Sequence, residues 1–332
     1  MAQLTCGFIG LGLIGGSIAR ALKDALEDVR IIACDPNPAT LELAALDQVA
    51  DITVSRIDDT FRSCDYIFLC APVACNDDNL LAVKNVISPD CILTDVGSVK
   101  SDIHMHIAAA GLERQFIGGH PMAGSERTGY ANSKALLLQN AYYILTPSQQ
   151  VPADRIAAFR NLVTRMGAIP LLLSCDQHDY VTAAVSHLPH IIAASLVNLV
   201  RDSDSADGVM KMIAAGGFKD ITRIASSSPE MWQQICLTNT ENIVLLLTDY
   251  IHNLEIIRED LLEKSGSRLY GLFDDARTYR DSFINASSGP IKRVYELTVD
   301  IADEPGALAS IATMLALHSV SIKNIGITHN RE

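Results

Sequence analysis

Along the first half of the chain, short apolar runs alternate with stretches whose apolar positions recur every three or four residues. The runs LTCGFI, RIIACD, DYIFLCAP, CILTDV, QFIGG, AYYILTP and IPLLL predict strands, and residues 14–26, 75–87, 100–110 and 152–166 predict amphipathic helices. Parallel neighbours need a crossover, usually a helix, so this alternation predicts βαβ units and a mainly parallel sheet over residues 1–173.

From about residue 175 the strand signals vanish. DQHDYVTAAVSHLPHIIAASLVNLVRD predicts a long helix starting near Asp176 and kinked at Pro189. Ser228-Pro229-Glu230 caps the start of a further helix of roughly thirty residues. Its stretch NIVLLLTDYIHNLEII is apolar on more than one face, as expected of a helix buried against a second subunit as well as its own core. This all-α region is placed at 174–284. NASSGPIKR, 285–293, is a polar linker, and residues 293–332 read as strand, turn at DEPG, helix 307–318 and strand. Forty residues are too few for an independent core, so this last segment is part of a module.

The formal charge of −13 and the absence of any Lys/Arg-rich run exclude a nucleic-acid partner, which needs a basic face. Eight cysteines, at 6, 34, 64, 70, 75, 91, 175 and 236, form no C-x-x-C pair and sit mostly in apolar runs, as free thiols in a reducing compartment do. The glycine-rich N-terminus has no basic residue before it, unlike a signal peptide, and no apolar run reaches the roughly 18–20 residues that span a bilayer. A cytoplasmic protein without membrane contact is expected.

Gly10-Leu-Gly12-Leu-Ile-Gly15 follows the first strand and opens the first helix, and a second strand ends in Asp35. Order and spacing match the dinucleotide fingerprint of a Rossmann-type fold. Gly10 makes the tight turn, Gly12 admits the pyrophosphate and Gly15 lets helix and sheet pack closely. Candidate cofactor contacts are Gly10, Gly12, Leu13, Ile14, Gly15, Asp35 and the Ala71–Pro72 turn. Asp35 would bind the adenosine ribose and repel a 2′-phosphate, favouring NAD; Asp35-Pro36 read as a helix-initiating turn is compatible with either cofactor. The loop Asp95–Lys100 also ends a strand, so Ser98 is a candidate contact, or else the cap of helix 99–110.

His120, in IGGHPMAGSERTGY, follows a sixth strand of the same sheet, which places an imidazole suited to proton transfer beside the nicotinamide. His187 and His190 share a helix face, whereas His178, about 180° away at ~100° per residue, points elsewhere. Their spacing matches no H-E-x-x-H pattern, and no metal is expected. AAGGFKDITR interrupts the helical region with Gly216-Gly217 and offers Arg223 for a carboxylate, or a surface charge cluster.

GLGLIGGSIA, DVGSVK, GGHPMAGSE, HDYVTAAVSHLPH, GGFKDITRIASSSPEMW and the N-T-E-N helix together resemble the prephenate/arogenate dehydrogenase family of tyrosine biosynthesis, over residues 4–283. The resemblance implies a Rossmann-type α/β domain, an all-α dimerisation domain and a homodimer. It implies NAD-dependent oxidative decarboxylation of prephenate to 4-hydroxyphenylpyruvate, or of arogenate to tyrosine. It also implies roles: His120 accepts a hydrogen bond from the substrate 4-hydroxyl, Ser98 orients His120, Arg223 holds a carboxylate and His190 positions the side chain. Ser125, Gly216 and Trp232 match pocket positions, Glu126 is a gate, and His178 and His187 match family histidines without a direct role. The tail resembles the start of an α+β ACT domain, DEPGAL being the turn of an amino-acid site, with tyrosine as the implied effector. A rival of another class is a non-catalytic protein that senses NAD and an amino acid.

Overall fold

Five short apolar runs pair into one parallel sheet. In the computed structural model, which describes residues 3–124, 127–285, 297, 299, 301, 304–318, 320 and 322, β1 (Leu4–Ile9), β2 (Val29–Cys34), β3 (Ile52–Val54), β4 (Tyr66–Leu69) and β5 (Ile92–Asp95) lie in the order β3-β2-β1-β4-β5. Every pair is parallel. The period of two sends alternate residues to opposite faces. Phe8, Ile31, Ala33 and Phe68 fill one core with α1 (Leu13–Ala25). Ile9, Ile32, Ile67 and Leu69 fill the other, with the helices that follow β4 and β5. Burial on both faces explains why these strands read as continuous apolar runs. Helices α2 (Pro38–Leu46), α3 (Asn76–Lys84) and α4 (Ser101–Ala110) are the crossovers and edge cover.

The expected single sheet is in fact two. β6 (Ile117–Pro121), β7 (Tyr142–Pro147) and β8 (Ile169–Leu172) form a separate three-stranded sheet, with β6 and β7 antiparallel and β7 and β8 parallel. An isolated bridge, Leu93 to Phe116, joins it to β5. A Cβ on Gly119 would lie 2.6 Å from the Asp95 carbonyl oxygen, so β6 crosses the end of β5 at a separation that a side chain would prevent. His120 therefore sits inside a strand of this second sheet, opposite Ile144, and not after a strand of the first. β3, three residues long, had no counterpart among the predicted runs. Helix α5 (Ala153–Arg165) packs Phe159 onto Tyr66 and links the two sheets.

After β8 the chain is helical. α6 (Cys175–Thr182) opens with a capping box, Ser174 with Gln177. A five-residue π turn, 183–187, leads straight into α7 (Leu188–Ser203). Pro189 has no N–H to donate into a regular turn, and the ladder widens just before it. Then follow α8 (Val209–Ile213), α9 (Gly216–Thr222), α10 (Pro229–Thr238), α11 (Thr240–Leu262) and α12 (Gly266–Asn285). The single long helix expected from Ser228 is broken at Asn239, whose backbone leaves the helical region (φ −120, ψ 33). Among the described residues, Cys175–Ser203 is long and apolar enough to cross a membrane by length and composition, contrary to the expectation that no such run exists. It carries Pro189 and four buried polar side chains, His178, Asp179, Thr182 and His187, all held by partners within the protein.

In the C-terminal portion, described by itself, α13 (Ala307–Leu317) starts after Gly306 at φ +93, a left-handed position that suits glycine. The linker from 286 on, and all of the flanking strands expected for an ACT-like module except residues 297, 299, 301, 320 and 322, fall outside the described residues.

Candidate active site

The β1–α1 turn is built as its glycines suggest. Gly10 has φ +87, and a Cβ there would meet the Ala71 amide nitrogen at 2.6 Å, so the ends of β1 and β4 touch at the point where strand order reverses. Gly15 is packed against the Gly10 carbonyl, whereas a Cβ on Gly12 would meet nothing within 4 Å. The N-terminus of α1 has no side-chain cap, so the amides around Leu13 and Ile14 keep their capacity to bind an anion. Asp35, after β2, accepts hydrogen bonds from the Leu11 and Asn37 amides at 2.8 and 2.9 Å, which aims its carboxylate at the same crevice. An open, uncapped helix start beside a fixed carboxylate fits a dinucleotide.

The chemistry end is a buried polar network where the two halves meet. His120, 9% exposed, places Nδ1 2.8 Å from Nε2 of His178. His178 Nδ1 lies 2.7 Å from Oδ1 of Asp179. Asp179 also accepts the Lys100 and Ser101 amides at 2.7 and 2.8 Å, so a carboxylate on α6 caps the first turn of α4. Lys100, wholly buried, pairs its ammonium with Asp95 and donates to the Gly119 carbonyl at 2.8 Å. Asp95 Oδ1 accepts the Gly119 amide at 3.1 Å. One lysine thus ties β5, the His120 strand and α6 together.

Burial, followed by the charges of His178, Lys100 and His187, pushes His120 well below the ordinary imidazole range, so it is neutral at pH 7. Burial likewise lowers His178, more than the Asp179 hydrogen bond raises it. Burial alone would raise Asp179, but the hydrogen bonds from His178, Ser101 and the Lys100 amide outweigh it and hold it at about 2.

Behind this network Asn239 donates from Nδ2 to the Asp179 carbonyl at 2.8 Å and lies 3.1 Å from His187 Nδ1. The same amide accepts Asn242 through Oδ1, which fixes its orientation. His187 Nδ1 is therefore an acceptor and Nε2 carries the hydrogen. That Nε2 and the Trp232 indole nitrogen are buried with no hydrogen-bond partner among the described residues. His190 stacks on Trp232 at 3.7 Å between ring centroids, and its Nδ1 donates to the Ser186 carbonyl at 2.9 Å. Burial lowers the His190 pKa, and Arg223 is near enough to lower it further. The His187 and Trp232 rings, 6.0 Å apart between centroids, thus present two N–H groups without acceptors close to His190 and Arg223, which is the chemistry that a carboxylate or carbonyl would satisfy.

The structure thus gathers His120, His190, Arg223 and Trp232 around one junction, and the glycines, Asp35 and Ala71 around the crevice. Ser98 lies in the turn after β5, but helix α4 begins at Ser101, with Lys100 at its cap position, so Ser98 is not its N-cap. His120 Nδ1 is engaged by His178, a residue given no direct role. His178 and His187 take different partners, His120 and Asn239 respectively, yet both lie near enough to His120 to lower its pKa. Gly216 opens α9 and is exposed. Ser125 and Glu126 lie outside the described residues. Lys100, His178, Asp179 and Asn239 were missed; Lys100 and the His178-Asp179 pair lie in polar stretches, DVGSVKSD and CDQHDY, where they do not stand out as buried residues.

Two family models divide the chain between them. One, described as prephenate dehydrogenase, nucleotide-binding domain, matches residues 18–171; the other, prephenate dehydrogenase, dimerization domain, matches 174–275. The chain belongs to the prephenate dehydrogenase family. Within it, the chain is 38% identical to the prephenate dehydrogenase of Bacillus subtilis, over 97% of this chain and 88% of that protein. A solved prephenate dehydrogenase from A. aeolicus, in complex with hydroxyphenyl propionate and NAD+, superposes with a TM-score of 0.80 at 28% identity, covering 85% of this chain and 99% of that one. Synechocystis arogenate dehydrogenase superposes at 0.74 with 28% identity, over 84% and 100%. Family membership removes the non-catalytic rival and leaves the choice of substrate to the pocket.

Proposed function

We propose that the chain catalyses NAD-dependent oxidative decarboxylation of prephenate to 4-hydroxyphenylpyruvate. Bound NAD supplies the acceptor for the hydride that leaves the ring carbon bearing the 4-hydroxyl, while the ring carboxylate departs as CO2 and the ring becomes aromatic. Gly10, Gly12, Leu13, Ile14 and Gly15 hold the pyrophosphate at the start of α1, Asp35 holds the adenosine ribose, and the Ala71–Pro72 turn flanks the nicotinamide half. His120 is the catalytic residue. Its Nδ1 is occupied by His178, so Nε2 accepts the hydroxyl proton as carbonyl character develops and returns it to the same oxygen as CO2 leaves and the ring becomes aromatic. Arg223, with the orphaned N–H groups of His187 and Trp232, holds substrate carboxylate and carbonyl oxygens. Ser98, Ser125, His190 and Gly216 line the substrate, and Glu126 gates it.

The observation that carries this reading is the buried His120, held through Nδ1 by His178 and lying near His187, whose ring N–H, like that of Trp232, lacks an acceptor. We take residues 1–173 as the nucleotide-binding domain, 174–284 as the substrate and dimerisation domain, and 293–332 as a partial ACT-like segment. We take the working unit as a homodimer in the cytoplasm, with tyrosine as the effector that the tail's resemblance to an ACT domain implies. Absorbance at 340 nm, recorded with prephenate or arogenate and with NAD+ or NADP+, tests the reading. Prephenate with NAD+ is expected to give the highest kcat/KM; higher kcat/KM for arogenate would transfer the assignment to that substrate.

A further inference from the structure

We infer that His178 and Asp179 are positioning residues that decide which nitrogen of His120 is the base. The inference rests on the role given above to His120, and it follows from a chain of hydrogen bonds with one direction. Asp179 is ionised and can only accept; its two oxygens take the Lys100 and Ser101 amides and the His178 ring. His178 Nδ1 therefore carries that ring's hydrogen. A neutral imidazole has one N–H, so Nε2 of His178 is bare. His120 Nδ1, 2.8 Å away, must then be the donor, which leaves His120 Nε2 bare and able to take a proton. The other tautomer of His120 would set two lone pairs against each other in a buried site.

Two backbone amides anchor the chain, so its direction does not depend on a mobile side chain. The groups that face His120 come from each neighbouring element: Lys100 at the start of α4, Asp95 at the end of β5, His187 on the π turn, and His178 with Asp179 on α6. Of these, the Lys100 charge opposes an imidazolium at His120, and Asp179 favours it. When Nε2 takes the substrate hydroxyl proton, the Nδ1 hydrogen stays donated to His178 and no second proton moves. The carboxylate two links away offsets part of the new charge. A correctly oriented tautomer is worth up to ~10⁴ in kcat where a histidine base has been deprived of it.

Steady-state kinetics of His178→Leu and His178→Gln test the inference. Leucine removes the acceptor, whereas the glutamine carbonyl can stand where Nε2 stood. His178→Leu is expected to lose roughly 100-fold or more in kcat, with KM for prephenate and Kd for NAD+ within about threefold, and His178→Gln to recover to within about tenfold of the parent. Equal losses in the two variants, or a loss confined to KM, overturn the inference. Nitrogen NMR of the parent protein labelled at histidine, with His120 assigned by its absence in His120→Asn, reads the tautomer directly and does not depend on the stability of the leucine variant. A hydrogen on Nδ1 is expected; a hydrogen on Nε2 overturns the inference. If prephenate is not turned over but Nδ1 carries the hydrogen, the substrate reading fails and the tautomer assignment stands.

Discussion

The sheet half and the helical half bury opposite kinds of side chain. Phe8, Phe61, Phe68, Phe116, Tyr143 and Phe159 are all wholly buried in the first half. Between 175 and 285, only Ala183, Ala193, Ile235 and Ile243 are buried hydrophobics among the described residues, while His178, Asp179, Thr182, His187 and Asn239 are buried polar ones. On α11, Val244, Leu245, Ile251, Leu254 and Ile256 are exposed to 45–54%. The first half closes its own apolar core. The second turns its polar side towards the first and leaves an apolar side exposed, in the region that matches the dimerization-domain model of the family.

If that contrast is right, substitutions in the two halves respond differently. The largest effect belongs to the sheet. Phe68→Ala removes a ring stacked on Phe8 at 4.8 Å and is expected to destabilise by about 3–5 kcal/mol whatever the protein concentration, as read by urea unfolding. The next belongs to the buried polar side. Burial lowers His187 to about 4, below its unfolded value near 6.5, so the unfolded chain binds a proton first as pH falls. Stability should be full above about pH 6.5 and drop by roughly 3 kcal/mol towards pH 4, in unfolding curves that His187→Asn flattens. Asp179, depressed to about 2, adds a further loss only as pH falls below about 4. The smallest effect is at the apolar outer side. Leu254→Ala should weaken association by about 2 kcal/mol per protomer in sedimentation equilibrium, with a Tm that depends on protein concentration. A change within about 0.5 kcal/mol at every concentration would show that α11 faces water.

How much of this was legible in the residues differs along the same line. Strands buried on both faces announce themselves as apolar runs, and the glycine spacing announces the turn: Gly10 and Gly15 each solve a local steric problem, and Gly12 leaves the space beside it open. β3 was too short to register. The second sheet was hidden because β6 parts from β5 through the backbone at Gly119, which leaves no mark on hydrophobic period. His178 and Asp179 were hidden for another reason. Counting angles along the helix gives their direction but not what lies there, and their partners, His120 and the start of α4, are 58 or more residues distant. Asn239 broke a helix that its own neighbours favour, because its side chain is committed to α6 and the π turn.

The central claim is that His120 performs proton chemistry beside a bound nicotinamide. His120→Asn, assayed at 340 nm with prephenate and NAD+, measures this most directly. The expected result is a kcat lower by about 10²–10⁴ with Kd for NAD+ nearly unchanged. Turnover equal to that of the parent protein would contradict it.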